Sequence, residues 1–342
     1  MDTVLLLTHV DAEGTLPRAA LEALSAARTL SGGAPVLAAL FGTETAPAVA
    51  ALAGAGVSKV LAVRGPAFGP ARYATDATAA AALVQASGAR LVVAPATSRL
   101  ARVAAGVAQR LGGRVDTHVT AVSAEGGPSA TRWYYRQRIE ARLRRKERPW
   151  ILLVDPGAFP PVKPEAGAAP PVEEVAVAAG PALERTRVTG LRAPSSGEQT
   201  IRPDAKLLFV AGAGWTKKQA DGKPHPEDAE RHILGFLRAS GASLGTSKSL
   251  VDQAGEGQKV FEFMSHLNQV GQTGATPRHP KGLSTCCHGE EPHVVGWRFI
   301  RERRAVNLDP GCGWARGKAD VLYVADAFAV MAKVNELLGG KK

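Results

Sequence analysis

Short apolar runs alternate with helix-period segments through the first third of the chain. Val4–Leu7 is apolar and bounded by polar residues, the pattern of a strand buried on both faces. Leu16–Leu30 has helical periodicity, with Pro17 in its first turn and Gly32-Gly33 beyond its end. Val36–Phe41, Val60–Val63 and Leu91–Ala94 repeat the strand pattern, and Ala46–Ala55, Ala74–Ser87 and Leu100–Leu111 the helical one. This alternation predicts a mainly parallel sheet covered by helices.

After Val115 the pattern changes. Thr117–Val122, Ser129–Tyr135 and Ile151–Val154 read as strands with few helices between them. Residues 157–171 are rich in Pro, Ala and Gly and predict a connector, after which Val172–Val177 is able to pair with the first sheet. A second alternation begins near Lys206. Leu207–Ala211, Val294–Trp297, Ala305–Leu308 and Val321–Val324 read as strands, and Pro226–Ser240 and Phe328–Leu338 as helices. The expected class is therefore α/β with two domains. An N-terminal, mostly parallel α/β sheet domain spans 1–185, a linker 186–203, and a doubly wound α/β domain 204–342.

The length of 342 residues and the hydrophobic fraction of 45% support two cores. The net charge of +11 admits an anionic partner. The densest basic run, 136–148, alternates charge with Ile139, Ala141 and Leu143, which fits a solvated strand edge better than a docking patch. No nucleic-acid motif accompanies it. Three cysteines, Cys286, Cys287 and Cys312, argue against a disulfide framework and for a reducing compartment. The N-terminus lacks the basic lead and cleavage site of a signal peptide, and no apolar run reaches the length of a membrane span. A cytoplasmic, soluble protein without membrane insertion is expected.

Four segments carry candidate chemistry. Gly212-x-Gly214 follows a strand and suits either a phosphate or a plain tight turn, since no third glycine completes a dinucleotide fingerprint. Val270-Gly-Gln-Thr-Gly274 flanks an amide and a hydroxyl with glycines, and would present Gln272, Thr273 and backbone N–H groups to a planar polar ring, or simply turn the chain. Cys286-Cys287-His288 followed by His293 has metal-ligand residue types, but not zinc-finger or ribbon spacing; Cys312 would be a third sulfur. Buried small hydrophobes are the simpler reading of the cysteines. Asn307-Leu-Asp-Pro310 and then Asp320 suit either a ribose or turn capping. There is no Ser-His-Asp arrangement, P-loop or paired-carboxylate signature.

Taken in order, these segments resemble the alpha subunit of electron-transfer flavoproteins. The resemblance runs from Gly14–Arg28 through Ala94-Pro-Ala-Thr97, Asp116–Val122 and Pro156-Gly-Ala-Phe-Pro160. In the C-terminal half it runs through Gly245–Asp252, Gln269-Val-Gly-Gln-Thr-Gly274, Gly289–His293 and Ala305–Pro310. It implies an electron carrier rather than an enzyme. FAD would lie on the second domain of a heterodimer with a beta subunit, which the N-terminal domain contacts. Electrons would pass from a donor dehydrogenase to a quinone oxidoreductase or another respiratory acceptor. By matching position, Thr273 would bond the flavin near N5, His293 would sit near O2, and Lys248 against the ring. Gln272 would contact the ribityl or pyrimidine portion, Ser247 and His288 the phosphates, and Asn307 and Asp320 the adenosine end. Gly212, Gly214, Gln269, Val270, Gly271 and Gly289 would complete the cofactor contacts.

This chain departs from the family pattern at several of these positions. Lys248 stands where the family has Arg, a localised charge in place of a stacking plane. Gly212-Ala-Gly-Trp215 lacks the family's Arg, and His288, Pro292 and Leu308 replace Ser, Gln and Lys. Gln253–Asn268 is longer than usual and holds Phe261, Phe263, Met264 and His266, as an extra helix beside the flavin or as core. Two other readings stay open: a structural partner subunit that has lost FAD, and a metal-binding oxidoreductase using the Cys/His cluster at 286–293.

Overall fold

The computed structural model describes residues 2–135, 139–163, 166–178, 180–190, 201–202, 205–253, 261–271, 277–285, 300–310 and 319–340. The chain divides into two compact units, Met1–Leu191 and Arg192–Lys342.

The first unit holds β1 (Val4–His9), α1 (Arg18–Leu30), β2 (Val36–Gly42), α2 (Ala46–Ala50), β3 (Val57–Arg64), α3 (Tyr73–Ser87), β4 (Leu91–Pro95) and α4 (Ser98–Arg110). β5 (Arg114–Ser123), β6 (Ser129–Tyr134), β7 (Ile139–Leu143), β8 (Trp150–Val154) and β9 (Val172–Glu174) follow. They form one sheet in the order β7-β6-β5-β8-β4-β1-β2-β3-β9. From β5 to β9 every pair is parallel, and β5-β6-β7 is antiparallel. Val4 and Leu6 of β1 pack with Ala23, Leu24 and Ala27 of α1 on one face. Leu5 and Leu7 pack with Leu83 of α3 and Val103 of α4 on the other. Cover on both faces explains why these strands read as unbroken apolar runs.

Some elements differ from the expectation, with local causes. α2 stops at Ala50 because the chain then tightens into three-residue turns (Leu52 N–H to Val49 O, Ala53 N–H to Ala50 O) and ends on left-handed Gly54 and Gly56. β5 starts at Arg114, ahead of the expected Thr117. Its first half pairs with β8 and its second with β6, across a register shift where His118 adopts φ 58. Of Val172–Val177 only Val172–Glu174 is strand, and it does pair with β3. In the basic run, β7 is the edge strand, and Ile139 is exposed.

Two buried carboxylates lock this unit. Asp76, fully buried, takes Arg99 at 2.9 and 2.7 Å and Arg102 at 3.4 Å. Asp116 takes Arg145 at 2.9 and 3.0 Å, Arg132 at 3.1 Å and the Trp150 indole N–H at 2.9 Å. Burial pushes the Asp116 carboxyl up, but the hydrogen bonds from Arg145, Trp150 and Arg132 outweigh it and hold the group below its ordinary value. His9 bonds Thr97 at 3.2 Å, and burial lowers its imidazole below the usual value.

The second unit contains β10 (Leu207–Ala211), α5 (Pro226–Ser240), β11 (Ser243–Thr246), α6 (Lys248–Asp252), β12 (Lys281–Thr285), β13 (Glu302–Asn307), β14 (Val321–Val324) and α7 (Ala327–Gly339). Its sheet is parallel throughout, in the order β11-β10-β12-β13-β14. Numbered from its own first strand that is 2-1-3-4-5, a doubly wound order that reverses between β10 and β12. Phe209, Ala211, Leu244 and Val306 meet α5 and α7 on one face, with Trp215 buried among them. Gly241, left-handed at φ 65, ends α5 and donates to Leu237 O. Phe261 and Met264 pack in this core. The expected strand Val294–Trp297 lies outside the described residues.

Candidate functional site

In a parallel sheet every strand delivers its following loop to the same rim. Ala211, Thr246, Thr285 and Val306 stand opposite one another across β10, β11, β12 and β13. Ser247, Gly212 and Asn307 each lie one residue beyond that row. From β11 to β13 is three strand spacings, so Ser247 and Asn307 bracket a rim about 14 Å wide. The Gly212 N–H donates to Thr285 O at 2.9 Å where the strand order reverses, the place at which open α/β sheets collect ligands.

The segment with the most distinctive motif reaches this rim by main-chain pairing. Gln269 bridges Thr246 in parallel, and the Val270 N–H donates to Thr246 O at 3.0 Å. A Cβ on Gly245 would come within 2.7 Å of the Val270 side chain, so the glycine permits this close approach. Gly271 follows with φ 133, a backbone that disfavours any other residue. Gln269, Val270 and Gly271 thus join Ser247 and Gly212. Gln272 and Thr273 continue from them but lie outside the described residues, as do His288, Gly289 and His293.

Gly212 and Gly214 lie in a tight turn, closed by the Trp215 N–H donating to Gly212 O at 3.3 Å. They enter a short 3-10 segment, Ala213–Thr216, that buries Trp215 completely. The Trp215 ring lies 4.6 Å from that of Phe328, and its N–H bonds Thr285 Oγ1 at 2.9 Å. Ser247 caps α6, accepting the Leu250 N–H at 3.2 Å. Lys248 pairs with Asp252, one turn along, and His266 approaches the same carboxylate at 3.8 Å. The positive charge placed by Lys248 is therefore partly balanced within α6. Asn307 donates to Asp309 O at 3.0 Å.

Asp320 does not join the group, which corrects its placement beside Asn307. It precedes β14 and sits opposite Arg303, at the amino rim of the sheet, about 13 Å from the other end of the strand. Its carboxylate accepts the Arg303 N–H at 2.6 Å and the guanidinium at 2.8 Å. Hydrogen bonds from Arg303 hold it below the ordinary carboxyl value. A parallel strand carries the residue before it and the residue after it to opposite ends, and Asp320 lies before. At the carboxyl end of β14 the following carboxylate is Asp326, which caps α7 by accepting the Phe328 N–H at 2.9 Å. Ala325 beside it donates to Asn307 O at 3.2 Å. A cavity of about 350 Å3 opens next to Asp326, lined by His225, Asp228, His232 and Phe328. An Asp between an apolar strand and a helix is a readable cap signal, which the sequence carries at Asp326.

Among the described residues no group of His, Cys, Asp and Glu has the makings of a metal site. Cys286, Cys287, His288, His293 and Cys312 lie outside them. Also among the described residues, no helix is long and apolar enough to cross a membrane.

The fold defines a two-unit α/β protein with one large, mostly parallel sheet and a second, parallel one. The sequence matches the Electron transfer flavoprotein domain family over residues 4–180, and the chain belongs to that family, whose proteins carry electrons. No curated protein matches the chain.

Proposed function

We propose that this chain is the alpha subunit of an electron-transfer flavoprotein and holds FAD on the carboxyl rim of its second sheet. It would work in the cytoplasm as a heterodimer with a beta subunit, taking electrons from a dehydrogenase and passing them to a quinone oxidoreductase or another respiratory acceptor. The observation that carries the reading is the meeting of Gly212, Ser247, Gln269–Gly271 and Asn307 on one rim, in a chain whose first unit belongs to the family. These residues are far apart in sequence, and pairing of the strands brings them together.

The rim residues fit such a cofactor chemically. Gly214 and the amino end of α6 offer backbone N–H groups for a pyrophosphate, Gly212 lets the backbone approach it without a side chain, and Ser247 stands beside them with His288 by sequence. Asn307 and, in place of Asp320, Asp326 offer an amide and a carboxylate for ribose hydroxyls. Gln272, Thr273 and His293 remain the groups assigned to the ring edge. Bound FAD would supply the redox chemistry, and the chain's part is to orient it and set its potential. Lys248 adds positive charge that favours the reduced, more negative ring, and Asp252 moderates it.

Co-expression with the beta subunit and purification of the pair tests this. One FAD per heterodimer, identified after release by heat, is the expected result. An intact but colourless heterodimer would instead leave a structural partner subunit. Bound metal in place of flavin would favour the Cys/His cluster.

A further inference from the structure

The first unit has a pocket that the electron-carrier reading does not use. It opens at the carboxyl end of β3, has a volume of about 580 Å3, and is lined by Arg64, Arg72 and Arg187 together with Phe68, Val177 and Val188. Arg72, immediately before α3, is 9% exposed. Its guanidinium donates to Ala67 O at 2.7 Å and to Thr186 O at 3.5 Å, while its Nε is buried with no partner among the described residues.

The neighbouring charges do not answer it. Asp76, four residues along, is already held by Arg99 and Arg102. Glu174 pairs with Arg64 at 3.1 Å. Arg72 and Arg187 meet no carboxylate among the described residues. A guanidinium stays charged at any ordinary pH, so burying one without a counter-charge is unfavourable unless an anion completes it. The carbonyls of Ala67 and Thr186 satisfy donors but, among the described residues, leave the charge without a counter-charge. The Thr186 contact also ties the 185–188 segment to Arg72, and that segment brings Arg187 and Val188 to the pocket.

We propose that this pocket binds a small organic anion: an oxyanion, phosphate or carboxylate, on an apolar body. The planar fork of Arg72 matches an oxyanion, with Arg187 as a second cation. Phe68, Val177 and Val188 supply an apolar wall that a bare inorganic ion would not use. The volume falls within the range of about 300–1,000 Å3 usual for small-ligand pockets.

Isothermal titration calorimetry of the full-length chain at low ionic strength tests the site with phenyl phosphate, benzoate and inorganic phosphate. One saturable site per chain is expected, with an organic anion tighter than inorganic phosphate. Whichever of phenyl phosphate and benzoate binds more tightly identifies the oxyanion. Arg72→Met should weaken binding about ten-fold or more. Arg187→Ala, at an exposed side chain, should weaken it severalfold without changing the melting temperature, and decides the matter if Arg72→Met fails to fold. Arg238→Ala, on a surface helix of the second unit, should have no effect. Absence of saturable heat with both organic anions, full affinity in Arg187→Ala, or an equal loss in Arg238→Ala would overturn the proposal.

Discussion

The two units treat their polar residues differently. In the first, most of the buried charges close on one another: Asp76 on two arginines, Asp116 on two arginines and a tryptophan. In the second, the polar residues stand where strands end and are engaged mainly as caps and short links: Ser247 on Leu250, Asn307 on Asp309, Asp326 on Phe328. The first arrangement fixes one packing of an extended sheet. The second holds a row of donors and acceptors in place through short local bonds. Two sheets built mainly of parallel strands thus give an internally locked scaffold in one unit and a rim of locally held polar groups in the other.

The sharpest way to break this contrast is Asp116→Asn. It leaves Arg132 and Arg145 facing a neutral amide, and should cost about 3–5 kcal/mol in denaturant unfolding. Flavin content per folded heterodimer should stay unchanged; loss of flavin from protein that is still folded would show that the units are not separate in role. The pH dependence follows the same carboxyl. Its folded value is lowered, so its stabilisation is complete above the ordinary value of 3.8 and is lost as pH falls through the lower folded value. The variant should show a shallower acid-unfolding profile below pH about 4.

A matched pair of helix caps sharpens the comparison. Thr97 caps α4 in the first unit and Ser247 caps α6 in the second, each accepting an N–H at 3.2 Å. Thr97→Ala and Ser247→Ala should each cost about 1 kcal/mol. Only Ser247→Ala should weaken FAD, read by equilibrium dialysis of the heterodimer. Equal retention of FAD by both would remove Ser247 from the site.

The smallest stability effect is expected at Lys248. Its pair with Asp252 is partly exposed, so Lys248→Ala should change stability by less than about 1 kcal/mol. Its reduction potential, by potentiometric titration, should fall, since a positive charge is lost. Asp252→Asn should move it the opposite way. No shift in either variant would place the pair away from the redox centre.

Much of the fold was legible along the chain. The apolar runs of β1, β2, β3 and β4 stand out because helices cover both faces of their sheet, and α5 and β14 fall where the periodicity sets them. What misled was local geometry. The early end of α2 depends on two left-handed glycines, and the true start of β5 on a change of partner halfway along it. Neither leaves a mark in hydrophobic period.

For the candidate site, residue types single out Gly212, the loop from Val270 and Asn307, and the family resemblance adds Ser247 and Gln269. Composition could not choose between Asp320 and Asp326, because both flank the same four-residue strand. Strand direction separates them by the length of β14. The sequence by itself determined which segments carry polar chemistry and that parallel α/β units would hold them. Only the tertiary structure decided which of those segments share a rim, because pairing register and strand direction are set between segments far apart in the chain. The same holds for Arg72, which a segment more than a hundred residues away helps to hold and which meets no carboxylate among the described residues.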